Sequence, residues 1–294
     1  MTEKPSDIAE KMVLGTAQFG MDYGIANVSG KPSKQEVFNI LELAWERGVR
    51  RFDTAPGYGS EDLLGEFIAN NGMEREAILL TKLSGVKEGD DYKSVIKSSL
   101  ESSLKKLGGK IEVLFFHDPK DSELLMNNPS FFESLLDEYP VSTLGVSVYE
   151  QREVEMLKDC ELDLAFQFPF NVLDRRFERV DMFAGKRYAR SVFLQGILAS
   201  DNGLRSNAPE GLLNLQEEYH KHLNDKNLDP VIFAVSFVMH SDCADYFLLG
   251  VETKKQLNDI LRQEPYINLN AAIMDMSLSK MAEKWIDPRT WSYV

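Results

Sequence analysis

The chain has 294 residues, 43% hydrophobic and 27% charged, with 47 acidic against 33 basic side chains and a formal net charge of −14. That composition excludes a disordered, collagen-like or disulfide-stapled chain, and the acidic excess argues against a nucleic-acid or anionic-membrane partner, which needs a basic stripe. The length suits one barrel-sized domain with a large core, since α/β barrels of roughly 250 residues fold as single units.

Taken in chain order, short apolar, β-branched or aromatic runs alternate with amphipathic stretches. The runs are Met12–Gly15, Arg51–Asp53, Ile78–Lys82, Ile111–His117, Thr143–Ser147, Leu164–Phe168, Ser191–Leu194 and Tyr246–Gly250. Between the first two, Ser33–Gly48 places Val37, Ile40, Leu41 and Ala44 on one face, with Ser33 and Glu36 spaced as a capping box. Asp91–Leu107 repeats the pattern with Val95, Ile96, Leu100 and Leu104. Thr253–Arg262 repeats it with Leu257, Ile260 and Leu261, opened by Thr253 and Gln256. Eight strand–helix repeats predict a single-domain (β/α)₈ TIM barrel over residues 1–294 with a short C-terminal tail. Runs such as Val113 to Phe116 suit parallel strands buried on both faces. A doubly wound sheet shares the alternation, but its Gly-rich turn after the first strand is missing.

Cys160 and Cys243 have no CxxC spacing and are expected as free thiols in a reducing compartment. The polar start, Met1 to Asp7, leads into no apolar stretch of signal-peptide or membrane-span length, so the expected location is the cytoplasm. Several motifs fail on spacing. Gly24 to Lys31 puts five residues between its glycines, and Pro32 follows the lysine, unlike a P-loop. Gly145 to Tyr149 lacks the second glycine of a nucleophile elbow. His220 and His222 point apart on a helix, so no metal is expected.

In such a barrel the chemistry sits at the C-terminal strand ends, which here supply Asp53, Lys82, His117, Ser147 and Gln167. Asp53 and Lys82, on neighbouring strands, are tolerable in an apolar interior only if they face each other. Tyr58 stands on the tight loop Pro56-Gly57-Tyr58-Gly59. A free phenol, with a pKa of about 10, is a poor acid at neutral pH, and a lysine ammonium within reach is expected to lower it. Asp53 would keep that ammonium charged. His117 at the rim suits orientation of a carbonyl oxygen.

The stretch Phe52 to Glu61, then Thr81-Lys82, then His117, resembles the aldo-keto reductase superfamily, as do Leu14-Gly15-Thr16-Ala17, Gly145-Val146-Ser147, Gln167 and Asn171 to Arg175. The likeness covers nearly the whole chain. It implies a barrel that transfers a hydride between a nicotinamide cofactor and a small carbonyl or alcohol, an aldehyde, aldose or related sugar. Tyr58 would be the general acid, tuned by Lys82 and Asp53, with His117 orienting the carbonyl. Ser147 and Gln167 would hold the nicotinamide carboxamide. Phe193 falls where the family often stacks a tyrosine on the ring. A monomer is the family's common state.

The family's Lys-Ser pair for a 2′-phosphate is absent after the last strand, where the chain reads Gly250-Val251-Glu252-Thr253-Lys254-Lys255-Gln256. Two lysines at a helix start make sense if an anion binds there. On that ground NADP is expected ahead of NAD, held by Lys254, Lys255 and Gln256. Two other readings stand beside the reductase: a Schiff-base aldolase using Lys82, and a regulatory barrel that binds nicotinamide without turnover.

Overall fold

A computed structural model describes residues 6–27, 29–180, 185–200, 203–266, 269 and 282–291. In chain order the elements are α1 (Asp7–Lys11), β1 (Met12–Gly15), α2 (Ala17–Gly20), α3 (Lys34–Glu46), β2 (Arg51–Asp53), α4 (Glu61–Asn71), β3 (Ile78–Leu83), α5 (Tyr92–Leu107) and β4 (Ile111–Phe116). They continue with α6 (Glu123–Asn127), α7 (Pro129–Glu138), β5 (Val141–Ser147), α8 (Gln151–Glu155), β6 (Leu164–Pro169), β7 (Arg187–Arg190), α9 (Glu210–Asn224), α10 (Pro230–Met239), β8 (Tyr246–Gly250) and α11 (Lys254–Leu261). Every neighbouring pair of strands is parallel, and β1 pairs with both β2 and β8, so the sheet closes into a (β/α)₈ barrel. The closed ring of parallel strands is the expected architecture.

The helices form where their caps and apolar stripes direct. Ser33 accepts from the Glu36 N–H at the start of α3, and Asp91 accepts from the Lys93 N–H at the start of α5. At α11, Thr253 and Gln256 form the reciprocal capping box. Val37, Ile40, Leu41 and Ala44 of α3 are buried, as are Ile96 and Leu100 of α5. They join the large core between barrel and helices. A smaller core fills the barrel itself and is built from Val13, Leu80, Val113, Phe115, Ala165 and Tyr188. Gly145 makes room for it, because a Cβ there would lie 2.6 Å from the Phe115 ring and 2.8 Å from the Ala165 carbonyl.

One strand differs from expectation. β7 is Arg187–Arg190, paired with β6 through Phe166 and Arg187 and with β8 through Tyr188 and Tyr246, instead of Ser191–Leu194. The more apolar run after it bends away at once, with positive φ at Ser191 (60°), Leu194 (45°) and Gln195 (54°). In the tail, Trp291 is 3% exposed, and its indole N–H donates to the Trp285 carbonyl at 3.2 Å. Trp285 in turn packs on Gly211, whose Cβ would lie 2.5 Å from the indole. These aromatics are packing groups, and Tyr293 lies outside the described residues. No helix among the described residues is long and apolar enough to cross a membrane.

Candidate active site

Strand side chains alternate in direction with period two. The inward set Leu80, Phe115, Ala165 and Tyr188 is therefore followed, two residues on, by Lys82, His117, Gln167 and Arg190. Together with Asp53 and Ser147 these polar residues line a cleft of about 590 Å³ at the C-terminal end of the barrel. The volume lies within the range of small-molecule sites. Asp53, Lys82, Ser147 and Gln167 are almost wholly buried here.

Lys82 and Asp53 face each other. The ammonium donates to both carboxylate oxygens, at 2.9 and 2.7 Å, and to the Thr54 carbonyl at 3.0 Å. Those three contacts suffice for its three protons. Gln167 adds a donor to Asp53, Nε2 to Oδ1 at 2.8 Å. A charge pair only 1% and 3% exposed is tolerable because each partner is hydrogen-bonded on several sides.

Tyr58 sits on the single 3₁₀ turn Pro56–Tyr58, closed by Gly59 in the left-handed region at φ 71°. Buried hydroxyls on either side fix the turn: Ser60 shares hydrogen bonds with Thr16 at 2.8 Å and Thr54 at 3.0 Å. Gly20 presses on it from α2 so closely that a Cβ would overlap the Tyr58 carbonyl. The ring meets His117 edge-on at 6.1 Å between centroids, and the Lys82 ammonium lies 4.9 Å from the ring centroid. The Tyr58 side chain lines the cleft, and its hydroxyl has no hydrogen-bond partner among the described residues.

The expected acidification of this phenol is reversed. Burial first, and then the Asp53 carboxylate, push Tyr58 well above the ordinary value of 10. Lys82, directly beneath, directs its protons to Asp53 and Thr54. Tyr58 is thus a fully protonated donor. Burial and then the Lys82 ammonium push His117 the other way, from 6.5 to about 4. Although His117 keeps surface accessible within the cleft mouth, the ring is neutral at physiological pH.

An NMR titration of the four histidines is expected to leave the His117 ring unprotonated at pH 6, where an ordinary histidine is mostly charged. The sign for stability follows. The unfolded chain binds this proton more readily, so the contribution of His117 is complete above about pH 6.5 and is lost as pH falls toward 4. A titration midpoint at 6.5 or higher would refute the neutral ring.

The loop after β7 forms the opposite wall. Ser191, Phe193 and Gln195 line the cleft, and the left-handed backbone at Ser191 and Gln195 is the kind of strain that gathers at functional sites. The chain N-terminal to α3 clasps this loop. Ala26 donates to the Gln195 carbonyl at 3.3 Å, and Arg205 donates to the Asn27 carbonyl at 3.0 Å and to Asp22 at 2.5 Å.

Tyr23, Tyr149 and Arg190 are among the lining residues that the sequence did not point to. The Arg190 guanidinium lies 4.0 Å from the Tyr149 ring centroid and donates to the Val148 carbonyl at 3.1 Å. Period two counted from Tyr188 would have found Arg190 had β7 been placed correctly. Burial pushes the Tyr23 hydroxyl up to about 12, although the residue as a whole is 37% exposed.

The cleft ends against β8 and α11 at Glu252, Gln256, Asp259 and Gln263. Gln256 is there, but Lys254 and Lys255 are not among the lining residues. The Lys254 ammonium leans toward Glu42 at 3.7 Å, and Lys255, whose side chain is 83% exposed, pairs with Asp259 at 2.5 Å. Among the described residues no group of three or more His, Cys, Asp or Glu side chains could hold a metal ion. An elongated polar cofactor fits the residues present, with buried Ser147 and Gln167 at one end and acceptors at the other.

Comparison with known proteins gives the family. The profile of the Aldo/keto reductase family matches residues 11–277. A D-threo-aldose 1-dehydrogenase of a Pseudomonas species is 28% identical over 186 residues, 51% of this chain and 56% of that protein. An uncharacterized oxidoreductase of Bacillus subtilis is 25% identical over 308 residues, 90% of each chain. The structure of a glycerol dehydrogenase from Gluconobacter oxydans superimposes with a TM-score of 0.70 at 21% identity, covering 95% of this chain and 94% of that one, and carries the fold alone. The matched segments span about half the length of the first curated relatives.

Proposed function

The chain belongs to the aldo/keto reductase family, a family of oxidoreductases, and from that premise we propose that it interconverts a small polar carbonyl compound and its alcohol with a nicotinamide dinucleotide. One observation carries the reading. A protonated phenol, Tyr58, is presented to the cleft with its hydroxyl unpartnered among the described residues, beside a neutral imidazole, His117, and above the buried Lys82–Asp53 pair. Bound in the cleft, the reduced dinucleotide supplies the hydride.

The side chains do the rest. The neutral His117 ring has one N–H to direct at a carbonyl oxygen and so aligns the substrate. The Tyr58 hydroxyl gives its proton to that same oxygen as negative charge develops there. The Lys82 ammonium lies over the Tyr58 ring, 4.9 Å from its centroid, and Asp53 keeps the lysine charged. Ser147 and Gln167 are the residues to hold the carboxamide of the nicotinamide, with Phe193 against the ring. Gln167 still has its Oε1 for this, since Nε2 is spent on Asp53. The expectation of NADP rested on Lys254 and Lys255, whose ammonium groups turn to Glu42 and Asp259.

A hydroxyl-bearing substrate suits the polar walls made by Tyr23, Tyr149 and Arg190, and the aldose dehydrogenase among the relatives leans the same way. A Schiff-base aldolase would need Lys82 neutral and open to substrate, whereas it is 1% exposed and ion-paired. The test is a screen of short aldehydes, aldoses and nucleotide-sugars for oxidation of NADH and NADPH, followed by the corresponding alcohols and lactols in reverse. Turnover of a carbonyl with either dinucleotide is the expected result. Carbon–carbon cleavage without dinucleotide, trapped by borohydride on Lys82, would overturn the reading.

A further inference from the structure

Resting on that reading, we propose that the dinucleotide this chain takes is the form without a 2′-phosphate, NAD(H), and that Glu36 and Glu252 set the choice. The cleft is one continuous space with two unlike ends. Tyr58 and His117 mark the end where hydride transfer takes place, so the adenosine half of an extended dinucleotide falls at the other, against β8 and α11. That end is lined by Glu252, Gln256, Asp259 and Gln263. The described lysine and arginine side chains that line the cleft, Lys82 and Arg190, both belong to the catalytic end.

A 2′-phosphate, with close to two negative charges, needs cations or free backbone N–H groups to hold it. At the start of α11 the chain has already engaged the N–H groups of Glu252, Thr253, Lys254 and Gln256. Glu252 and Thr253 donate their N–H groups to Gln256 Oε1, at 2.8 and 3.2 Å, and the Gln256 N–H goes to Thr253 Oγ1 at 3.2 Å. The Lys254 N–H donates to Glu36 Oε1 at 2.7 Å. The anion that the helix dipole favours at this place is therefore the carboxylate of Glu36, reaching across from α3. Glu36 follows Ser33 at capping-box spacing, but its carboxylate serves the neighbouring helix.

Of the side chains lining this end, Glu252 and Asp259 carry carboxylates. These accept hydrogen bonds from the two free hydroxyls of an adenosine ribose and repel a phosphate in their place. Glu252, half-buried beside Gln256, is the carboxylate placed to do so.

Fluorescence titration of the intact protein with NADH and NADPH is expected to give a dissociation constant at least about tenfold lower for NADH. Calorimetry with adenosine fragments separates this end from the chemistry. Adenosine 5′-monophosphate is expected to bind, and adenosine 2′,5′-bisphosphate to bind at least about tenfold more weakly. Glu252→Gln combined with Glu36→Gln, which keeps an acceptor for the Lys254 N–H while removing the charge, is expected to narrow the NADH preference about tenfold by tightening NADPH. NADPH binding as tightly as NADH, or the bisphosphate outcompeting the monophosphate, overturns this inference and leaves the oxidoreductase reading standing. Failure of both dinucleotides to bind overturns the two together.

Discussion

Tyr58→Phe is expected to lower carbonyl reduction by about 10²–10⁴-fold, the usual worth of a positioned proton donor, while leaving dinucleotide affinity nearly unchanged. The substitution removes one oxygen, and that oxygen has no protein partner among the described residues, so the fold loses no hydrogen bond with it. The ring contacts with His117 and Lys82 survive in phenylalanine. Steady-state turnover alongside nicotinamide fluorescence separates the two effects. Turnover close to the native rate would remove Tyr58 from the chemistry, and loss of dinucleotide binding would make it a structural residue of the cleft.

Lys82→Met acts on stability as well as on rate. It strands Asp53, which is 3% exposed and retains Gln167 as donor but loses all of its positive partner. Breaking a buried pair from one side costs about 3–5 kcal/mol, a substantial share of the total stability of an ordinary domain. The double substitution Lys82→Met with Asp53→Leu removes both charges and is expected to recover much of that stability while recovering none of the activity. Denaturant midpoints compared with turnover make the test. A single variant as stable as the native protein would mean that the pair does not hold the mouth of the barrel, and activity returning in the double variant would mean that neither charge serves the chemistry.

Much of this was legible in the sequence because it is local or periodic. Alternation of runs and stripes gave the barrel, caps such as Ser33, Asp91 and Thr253 gave helix starts, and the intolerance of an apolar interior for lone charges paired Asp53 with Lys82. Three things were hidden, each for a physical reason. β7 carries arginines at both ends: Arg187 is tied to Asp245, with Nη2 to Oδ1 at 2.7 Å, and Arg190 faces the cleft, so the strand reads as polar beside the apolar turn that follows it. The direction of the Tyr58 shift is set first by burial and then by the Asp53 carboxylate, and spacing along the chain does not specify the depth of burial. The fate of the α11 terminus depends on Glu36, 218 positions away, and a long-range cap leaves no local signal.

That same bond between Glu36 and Lys254 ties the first large helix of the ring to the last, at the seam where β1 meets β8. On the proposed reading, cofactor choice and ring closure share a residue. If the proposed preference holds, truncating Glu36 to admit the phosphorylated coenzyme would unpick a stitch in the scaffold, so selection for that coenzyme should enrich compensating changes along the α3–α11 seam before it improves the pocket.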